Sequence, residues 1–284
     1  MALLSQGPLQ RLVGSSYRPI IGIVSLIIFI IYIITPSSRP SASLIITTTS
    51  SSDLSWLPPS SAHPYKIHAI DTSRPYISPN TSEEILLSKS PTALTILTFL
   101  IDNYHTLPEV SFFHHDQHQA WHSIYTSPFE IQHLQLENVI KHGYVSPRCL
   151  PGCENVIPVA SALASPLNEL KGSPREVQIS SVIKEFNVEH ARDIGKGMGR
   201  VPKKIAAPCC STFAVSRERV LRREREWYEA LRRWVWETEL SGVQAGKILE
   251  YTWHLWFGME DVFCPSEAQC LCDVYNIGVC DREL

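Results

Sequence analysis

The longest apolar run of the chain covers residues 20–34 (IIGIVSLIIFIIYII) and carries no charge. With its flanking residues it is about 17 positions long, the short end of what spans a bilayer as a helix. Arg11 and Arg18 precede the run, whereas the residues just after it carry a single basic side chain. This asymmetry predicts a cytoplasmic tail over 1–18, a transmembrane signal anchor over 19–35 and a single-pass type II topology. The alternative is a cleaved signal peptide, because small residues follow the run.

After a short Pro/Ser stem at 36–43, the pattern becomes that of a folded luminal domain covering 44–284. Apolar spacing over 88–108 predicts a helix with Pro91 near its first turn. Three β-branched or apolar runs predict strands: LIITTT (44–49), YKIHAID (65–71) and VSFFH (110–114). Strand, strand, helix, strand in this order predicts an α/β domain with a mainly parallel sheet. The ends of these strands are then the expected edge for a site.

The C-terminal part is predicted to be helical. Prolines and glycines across 158–208 indicate a long connection with one or two helical pieces. Apolar stripes over 216–240 and about 243–257 then predict two amphipathic helices. The Arg and Glu residues between the apolar positions are expected to form a solvated, salt-bridged face.

Eight cysteines lie beyond residue 148 and are expected to form disulfides. Their even number suits an oxidising compartment, and the last four lack the paired C-x₂-C spacing of a zinc ribbon. Cys149 and Cys153 are expected to pair elsewhere or with each other across a tight turn. The vicinal cysteines 209 and 210 are each expected to bond a different partner. The candidates are Cys149, Cys153, Cys209, Cys210, Cys264, Cys270, Cys272 and Cys280.

Composition and one tripeptide bear on partners and location. The net charge is −3, with 19% charged residues and no long run of one sign, so nothing indicates nucleic-acid binding. Asn80, in Asn-Thr-Ser, is a glycosylation acceptor that suits a luminal domain.

The densest polar cluster follows the third predicted strand and contains His114, His115, Asp116, His118 and His122. Histidine and aspartate are ligands for divalent metals such as Mn²⁺ or Zn²⁺, and such an ion can offset charge on a diphosphate leaving group. The chain has no zinc-protease, nucleophile-elbow or P-loop motif. We therefore predict His114, His115 and Asp116 as metal ligands. The alternative is a histidine-rich loop with ordinary hydrogen bonds.

Four further residues are candidates for chemistry. Glu250 and His254 share one face of a predicted helix, where the carboxylate can act as a general base and the imidazole can complete a metal site. The alternative is a half-buried packing face. Asp53 can contact a nucleotide ribose or base, or cap a turn. Arg217 can clamp a phosphate, or be an ordinary surface residue at a helix start.

Several segments together resemble a fungal family catalogued as domain of unknown function 3431. They are DLSWL (53–57), IDNYHTLPEVSFFH (101–114), AWH (120–122), GYVSPRCLPGC (143–153), CCSTFAVSRE (209–218), LEYTWHLWFG (249–258) and CPSEAQCLCDVY (264–275). The resemblance covers nearly all of 44–280. It implies a fungal origin and a membrane-anchored protein of the secretory pathway.

The layout is also similar to that of GT-A glycosyltransferases, which are often type II Golgi proteins. They have a nucleotide-binding α/β half, a metal-holding acidic motif after a strand and sometimes a late histidine that completes the metal site. By this analogy His114–Asp116 stands at the metal motif and His254 is the late histidine, although the chain has no D-x-D. The analogy predicts a single GT-A-like domain with a helical, disulfide-rich C-terminal part.

One segment departs from the family pattern. Members usually carry Asn-Lys-Gly-Arg-Glu-Ala before IDNY, whereas this chain has Ser-Lys-Ser-Pro-Thr-Ala at 88–93. If the missing Arg/Glu pair binds the donor, this copy is weakened, specialised or inactive.

Three functional hypotheses follow. The first is a Golgi transferase that moves a sugar from a nucleotide donor to a glycan, lipid or small-molecule acceptor, with Asp53 and Arg217 on the donor, a divalent ion at 114–116 and Glu250 as base. The second is a non-catalytic binding or scaffold protein on the same fold. The third is a secondary-metabolite tailoring enzyme that uses histidine-bound metal for oxidative chemistry.

Overall fold

The structure, a computed structural model, describes residues 39–164, 170–189 and 199–280. The described residues from Pro40 onward form one compact unit. The predicted anchor at 19–35 lies outside the described residues. Among the helices that are described, none is long and apolar enough to cross a bilayer.

A five-stranded sheet in the order β2-β1-β5-β7-β6 lies at the centre of the fold. Strand β1 pairs in parallel with β2 and with β5, whereas β7 is antiparallel to both β5 and β6. A separate hairpin pairs β3 with β4. The strands are β1 (Ala42–Thr48), β2 (Tyr65–Asp71), β3 (Tyr76–Ile77), β4 (Glu84–Ile85), β5 (Val110–His114), β6 (Tyr144–Val145) and β7 (Phe213–Ser216). The predicted α/β class with a mainly parallel sheet is confirmed.

The helices are α1 (Pro91–Asp102), α2 (Ser127–His133), α3 (Leu136–His142), α4 (Val159–Leu163), α5 (Arg175–Lys184), α6 (Arg217–Val220), α7 (Arg225–Glu237), α8 (Gly242–Trp256) and α9 (Glu267–Tyr275). Short 3₁₀ and π-helical turns occupy Ser60–Ala62 and Glu185–Glu189. The helical C-terminal part is therefore as predicted. The single helix expected over 216–240, however, is two helices, α6 and α7.

Two hydrophobic cores cover the two faces of the sheet, because successive residues of a strand point to opposite sides. Phe113 and Phe213 pack with helices α1, α5, α7 and α8 on one face. Phe112 and Ala214 pack with α2, α3 and α9 on the other. The domain thus has three layers, and all five residues of β5 are buried between the helical layers.

The predicted element bounds hold with small shifts. Strands β2 and β5 have the predicted bounds, and Pro91 is the first residue of α1. Strand β1 begins at Ala42, where it pairs with Tyr65 of β2. The last two residues of the expected stem therefore belong to the domain, and Ser41 donates from its backbone N–H to the Glu109 carboxylate at 2.8 Å.

All eight cysteines form disulfides, as predicted. The pairs are Cys149–Cys270, Cys153–Cys264, Cys209–Cys210 and Cys272–Cys280. The expectation that the two vicinal cysteines bond different partners is wrong. Cys210 has a left-handed backbone, with φ of 82°, and this turn brings two neighbouring side chains together that would diverge in an extended strand.

Candidate metal centre at the carboxyl edge of the sheet

The candidate centre lies where strands β1 and β5 end side by side. The chain leaves β1 towards β2 on one side, and it leaves β5 towards helices α2 and α3 and then β6 and β7 on the other. In open α/β sheets, ligands bind outside the carboxyl ends of strands at such a switch of direction. The two loops that meet here are residues 49–59 and 115–126.

His114 is the last residue of β5 and is buried on the face that Phe112 also occupies, its ring 5.2 Å from the phenyl ring. Its Nδ1 lies 3.0 Å from the carbonyl oxygen of His115, and its Nε2 lies 2.9 Å from Oε2 of the equally buried Glu130. Both ring nitrogens therefore face oxygen acceptors. Either Nε2 and Oε2 share a hydrogen bond, or they are two ligands of one cation. Ligand atoms that share a zinc-like ion lie ~3 Å apart, which fits the observed distance.

Glu130 is the residue that sequence reasoning missed. Ser127 and Glu130 form a Ser-x-x-Glu pattern, which normally indicates a helix capping box. In the structure the N-cap of α2 is Thr126, without a side-chain cap bond, and the Glu130 carboxylate turns to His114 instead. A carboxylate between the apolar Phe129 and Ile131 was the available signal, because a buried acid needs a partner.

His115 completes a group of three ligand-bearing side chains. One ligand atom each from His114, His115 and Glu130 lie within 4.8 Å of one another. Burial, and then the neighbouring His114 and His122, lower the pKa of His115 to about 2, so its ring is neutral at physiological pH. Its Nδ1 accepts the Gln117 N–H at 3.2 Å. If an ion binds at Nε2 of His115, the ring proton must sit at Nδ1, and Nδ1 can no longer accept the Gln117 N–H. Water can then accept that N–H instead, because Gln117 is exposed.

His122 lies against this group. Its ring centroid is 5.5 Å from that of His115, nearly perpendicular, and 5.4 Å from that of Trp121. Burial, followed by the charge of Arg148, lowers the pKa of His122, so this ring is also neutral. A row of rings therefore runs from the surface at Trp121, through His122 and His115, to the buried His114.

Asp116 does not join the ligand group, contrary to prediction. Its carboxylate accepts a hydrogen bond from Ser52, and its backbone carbonyl accepts the Trp56 indole N–H at 3.0 Å. Asp116 thus ties the loop after β5 to the loop after β1. Asp53 lies exposed in the loop after β1, where its Oδ1 accepts the Ser55 N–H at 2.8 Å. This hydrogen bond lowers the pKa of the Asp53 carboxyl.

Arg217 lies at the opposite edge of the sheet. Its neighbour Ser216 pairs with Val110, the first residue of β5, and its own N–H donates to Glu109. Four strand residues separate this edge from His114, or ~13 Å at 3.3 Å per residue. The backbone of Arg217 and the histidine cluster therefore lie at opposite edges of the sheet, and the role of Arg217 on the donor stays a prediction.

Glu250 and His254 lie on α8, in the helical layer on the other face of the sheet. His254 is fully buried, and its Nε2 lies 3.3 Å from the Asp261 carbonyl oxygen. It belongs to the core and, among the described residues, to no group of metal-ligating side chains, so its role as the late histidine is corrected. Burial raises the pKa of Glu250. No hydrogen bond joins it to His254, whose Nδ1 has no partner in the described structure.

Two other predicted features lie away from the centre. Lys89, in the segment that departs from the family pattern, donates from Nζ to the carbonyl oxygens of Trp236 at 2.6 Å and Thr238 at 2.9 Å, and so holds the C-terminal end of α7. Asn80 is exposed between β3 and β4, with its amide donating to the Asp102 carbonyl.

Comparison with known proteins gives a family without an assigned reaction. A family model described as "Protein of unknown function (DUF3431)" matches residues 44–273. No curated protein and no solved structure matches the chain significantly. The matched range covers the sheet, both helical layers and the histidine cluster. The chain belongs to the DUF3431 family.

Proposed function

We propose that the protein is a metal-dependent transferase that moves a sugar from a nucleotide donor to a hydroxyl acceptor. The observation that carries this proposal is the buried His114–Glu130 pair, with His115 beside it, at the carboxyl ends of adjacent parallel strands. This edge is where α/β folds bind nucleotides. A metal-holding motif that follows a strand is also the layout of GT-A transferases.

The residues around the centre have distinct roles in this proposal. His114, His115 and Glu130 hold a divalent ion. Such an ion would offset the charge of a departing nucleoside diphosphate. Asp53 contacts the donor ribose, because the Ser55 bond fixes one carboxylate oxygen and leaves the exposed side chain at the rim of the same edge.

Glu250 remains the proposed base for the acceptor hydroxyl. Burial raises its pKa, which makes it a stronger base than an exposed carboxylate. One turn along α8, the indole N–H of Trp253 donates to Ser211 Oγ at 3.1 Å. Ser211 lies two residues before Phe213, the first residue of β7, which pairs with Phe113 next to the carboxyl end of β5. This part of α8 thus reaches the edge that holds the centre.

Trp121 is the proposed acceptor platform. Its side chain is 86% exposed, which is unusual for a large apolar ring, and it lies next to His122 at the outer end of the row of rings. Exposed aromatic rings at a polar site stack on ligands, and the apolar face of a sugar ring is one such ligand.

A second candidate function is favoured by the donor set itself. Imidazole nitrogens suit zinc, copper, iron and nickel, whereas manganese and magnesium prefer oxygen ligands. A site with two histidines and one carboxylate therefore also supports the tailoring enzyme that uses histidine-bound metal for oxidative chemistry. Retention of iron or copper through purification would support this reading.

Localisation follows from the disulfides and the predicted anchor. Four disulfides suit an oxidising compartment, and the exposed Asn80 is accessible to glycosylation. We propose a type II membrane protein of the secretory pathway, in the Golgi.

Calorimetry of the detergent-solubilised full-length protein with UDP and GDP, with and without Mn²⁺ or Zn²⁺, tests the function. We expect nucleotide binding that requires the ion and is lost in His114→Ala. The matched control is His118→Ala, an exposed histidine of the same loop. Nucleotide binding that ignores the ion, or no binding by folded protein that does bind the ion, would refute the transferase.

A further inference from the structure

Three ring nitrogens beside the His114–Glu130 pair are buried and lack any hydrogen-bond partner among the described residues. They are Nε2 of His115 and both Nδ1 and Nε2 of His122. A buried polar atom without a partner is costly, and native proteins rarely keep several in one place. A neutral imidazole offers one lone pair, so one nitrogen of each ring can bind a ligand that accepts lone pairs, such as a metal ion.

The spacing of the rings suits a single ion. Ring centroids are 4.2 Å apart for His114 and His115, and 5.5 Å apart for His115 and His122. With metal–nitrogen bonds of about 2.0–2.1 Å, the centroids of two imidazoles on one ion lie ~5 Å apart. The observed distances lie on either side of this value. The ligand atoms that already lie within 4.8 Å of one another are those of His114, His115 and Glu130, and His122 would join them by rotation of its ring.

The backbone of His122 is held in place from outside the loop. The guanidinium of Arg148 donates to the His122 carbonyl oxygen and forms two 2.8 Å bonds to the carboxylate of Glu154. Glu154 in turn accepts the Cys209 N–H at 3.3 Å. The carbonyl of His122 is thus fixed by a charged pair, while its ring stays free to bind.

We propose that His122 is a fourth ligand, and that the centre is a site of three imidazoles and one carboxylate that selects zinc-like transition metals over Mn²⁺ and Mg²⁺. Nitrogen donors dominate this set, and imidazole favours Zn²⁺, Co²⁺, Ni²⁺ and Cu²⁺. The inference rests on the metal centre of the proposed function but not on sugar transfer.

Titration of the full-length protein with Zn²⁺ and Co²⁺ against a competing chelator tests the proposal. Loss of an outer-shell partner already costs ~10–100-fold in metal affinity, so we expect His122→Ala to weaken Zn²⁺ binding by at least about tenfold. His118→Ala, in the same loop, should bind as the wild type does. Circular dichroism verifies that each variant is folded, and His122→Gln provides a second variant that keeps a polar side chain.

Pulsed electron paramagnetic resonance of the Cu²⁺-loaded protein counts the bound imidazoles directly. We expect three in the wild type and two in His122→Ala. Equal affinity and an equal imidazole count in both proteins would overturn the role of His122. Tighter binding of Mn²⁺ than of Zn²⁺ by the wild type would overturn the metal class. Failure of UDP to bind a zinc-loaded protein would refute sugar transfer and leave this inference standing.

Discussion

Glu130 offers the sharpest test of the centre, because its carboxylate has a role with and without metal. In metal-free protein, Glu130→Gln keeps the side-chain volume and one hydrogen bond to His114 but removes the negative charge of the carboxylate. A charged hydrogen bond contributes ~1.5–3 kcal/mol and a neutral one ~0.5–1.5 kcal/mol, so we expect a loss of about 1 kcal/mol in unfolding free energy. Glu130→Ala leaves His114 Nε2 buried without a partner, and should cost ~3–5 kcal/mol.

The gain in stability on adding metal distinguishes a carboxylate that binds the ion from one that only pairs with His114. An ion at a hundred times its dissociation constant stabilises the folded wild type by ~2.7 kcal/mol. If Glu130→Gln raises that constant ten- to a hundred-fold, the same ion concentration adds only ~0.4–1.4 kcal/mol. The stabilisation by Zn²⁺ should therefore fall by at least about half.

Urea unfolding of the full-length protein, followed by tryptophan fluorescence in EDTA and in Zn²⁺, measures both quantities. The matched control is Glu137→Gln, the same change at an exposed glutamate of the neighbouring helix α3. It should leave both the metal-free stability and the gain from Zn²⁺ unchanged. An equal gain in wild type and Glu130→Gln would show that the carboxylate does not bind the ion. No gain in the wild type would refute the centre.

Three further predictions concern residues outside the centre. Burial lowers the pKa of His254 to about 4, so the unfolded chain takes up a proton below about pH 6.5 before the folded chain does. Stability should therefore fall by about 3 kcal/mol as pH drops from 6.5 to 4, and His254→Gln should flatten this part of a urea-unfolding series. A Cβ at Gly242 would lie 1.4 Å from the Lys89 carbonyl oxygen, so Gly242→Ala should separate α8 from that segment and lower the melting temperature by several degrees. Arg217→Ala should leave Zn²⁺ affinity unchanged in chelator competition, since Arg217 lies at the other edge of the sheet; weaker binding would contradict that placement.

The strands and the edge of the sheet that carries the site were predictable, because a strand buried on both faces of a sheet has a recognisable sequence pattern. The run VSFFH does not alternate apolar and polar positions, as expected for a strand between two helical layers, and its bounds match β5. The polar loop that follows had to lie at the carboxyl edge. Hence the position of His114 and His115 at the carboxyl end of β5 could be predicted from sequence alone.

The break between α6 and α7 was not predictable from periodicity. The apolar stripe continues through it. Charged residues there do form ion pairs, an exposed one between Arg222 and Glu218 and a half-buried one between Arg225 and Glu229. Arg223 is the exception. It is fully buried, lies 4.0 Å from the Trp227 ring and donates to the Trp256 carbonyl at 2.8 Å. A helix that continued through this point would keep the arginines together on its polar face, so the inward turn of one guanidinium requires the chain to leave the helix.

The difference between the ligands predicted from sequence, which include Asp116 and His254, and those proposed from the structure, which include Glu130 and His122, shows what spacing cannot reveal. Asp116 is adjacent to the histidines in sequence, but the chain has left the strand there and its carboxylate turns to Ser52 in the other loop. Glu130 is distant in sequence, yet its helix packs on the sheet face that carries His114, and so its carboxylate meets the ring. Which side chains converge is decided by the face to which each element packs. A search for buried acids on helices that flank a histidine-bearing strand would have found Glu130, whereas a search for short metal-binding motifs could not.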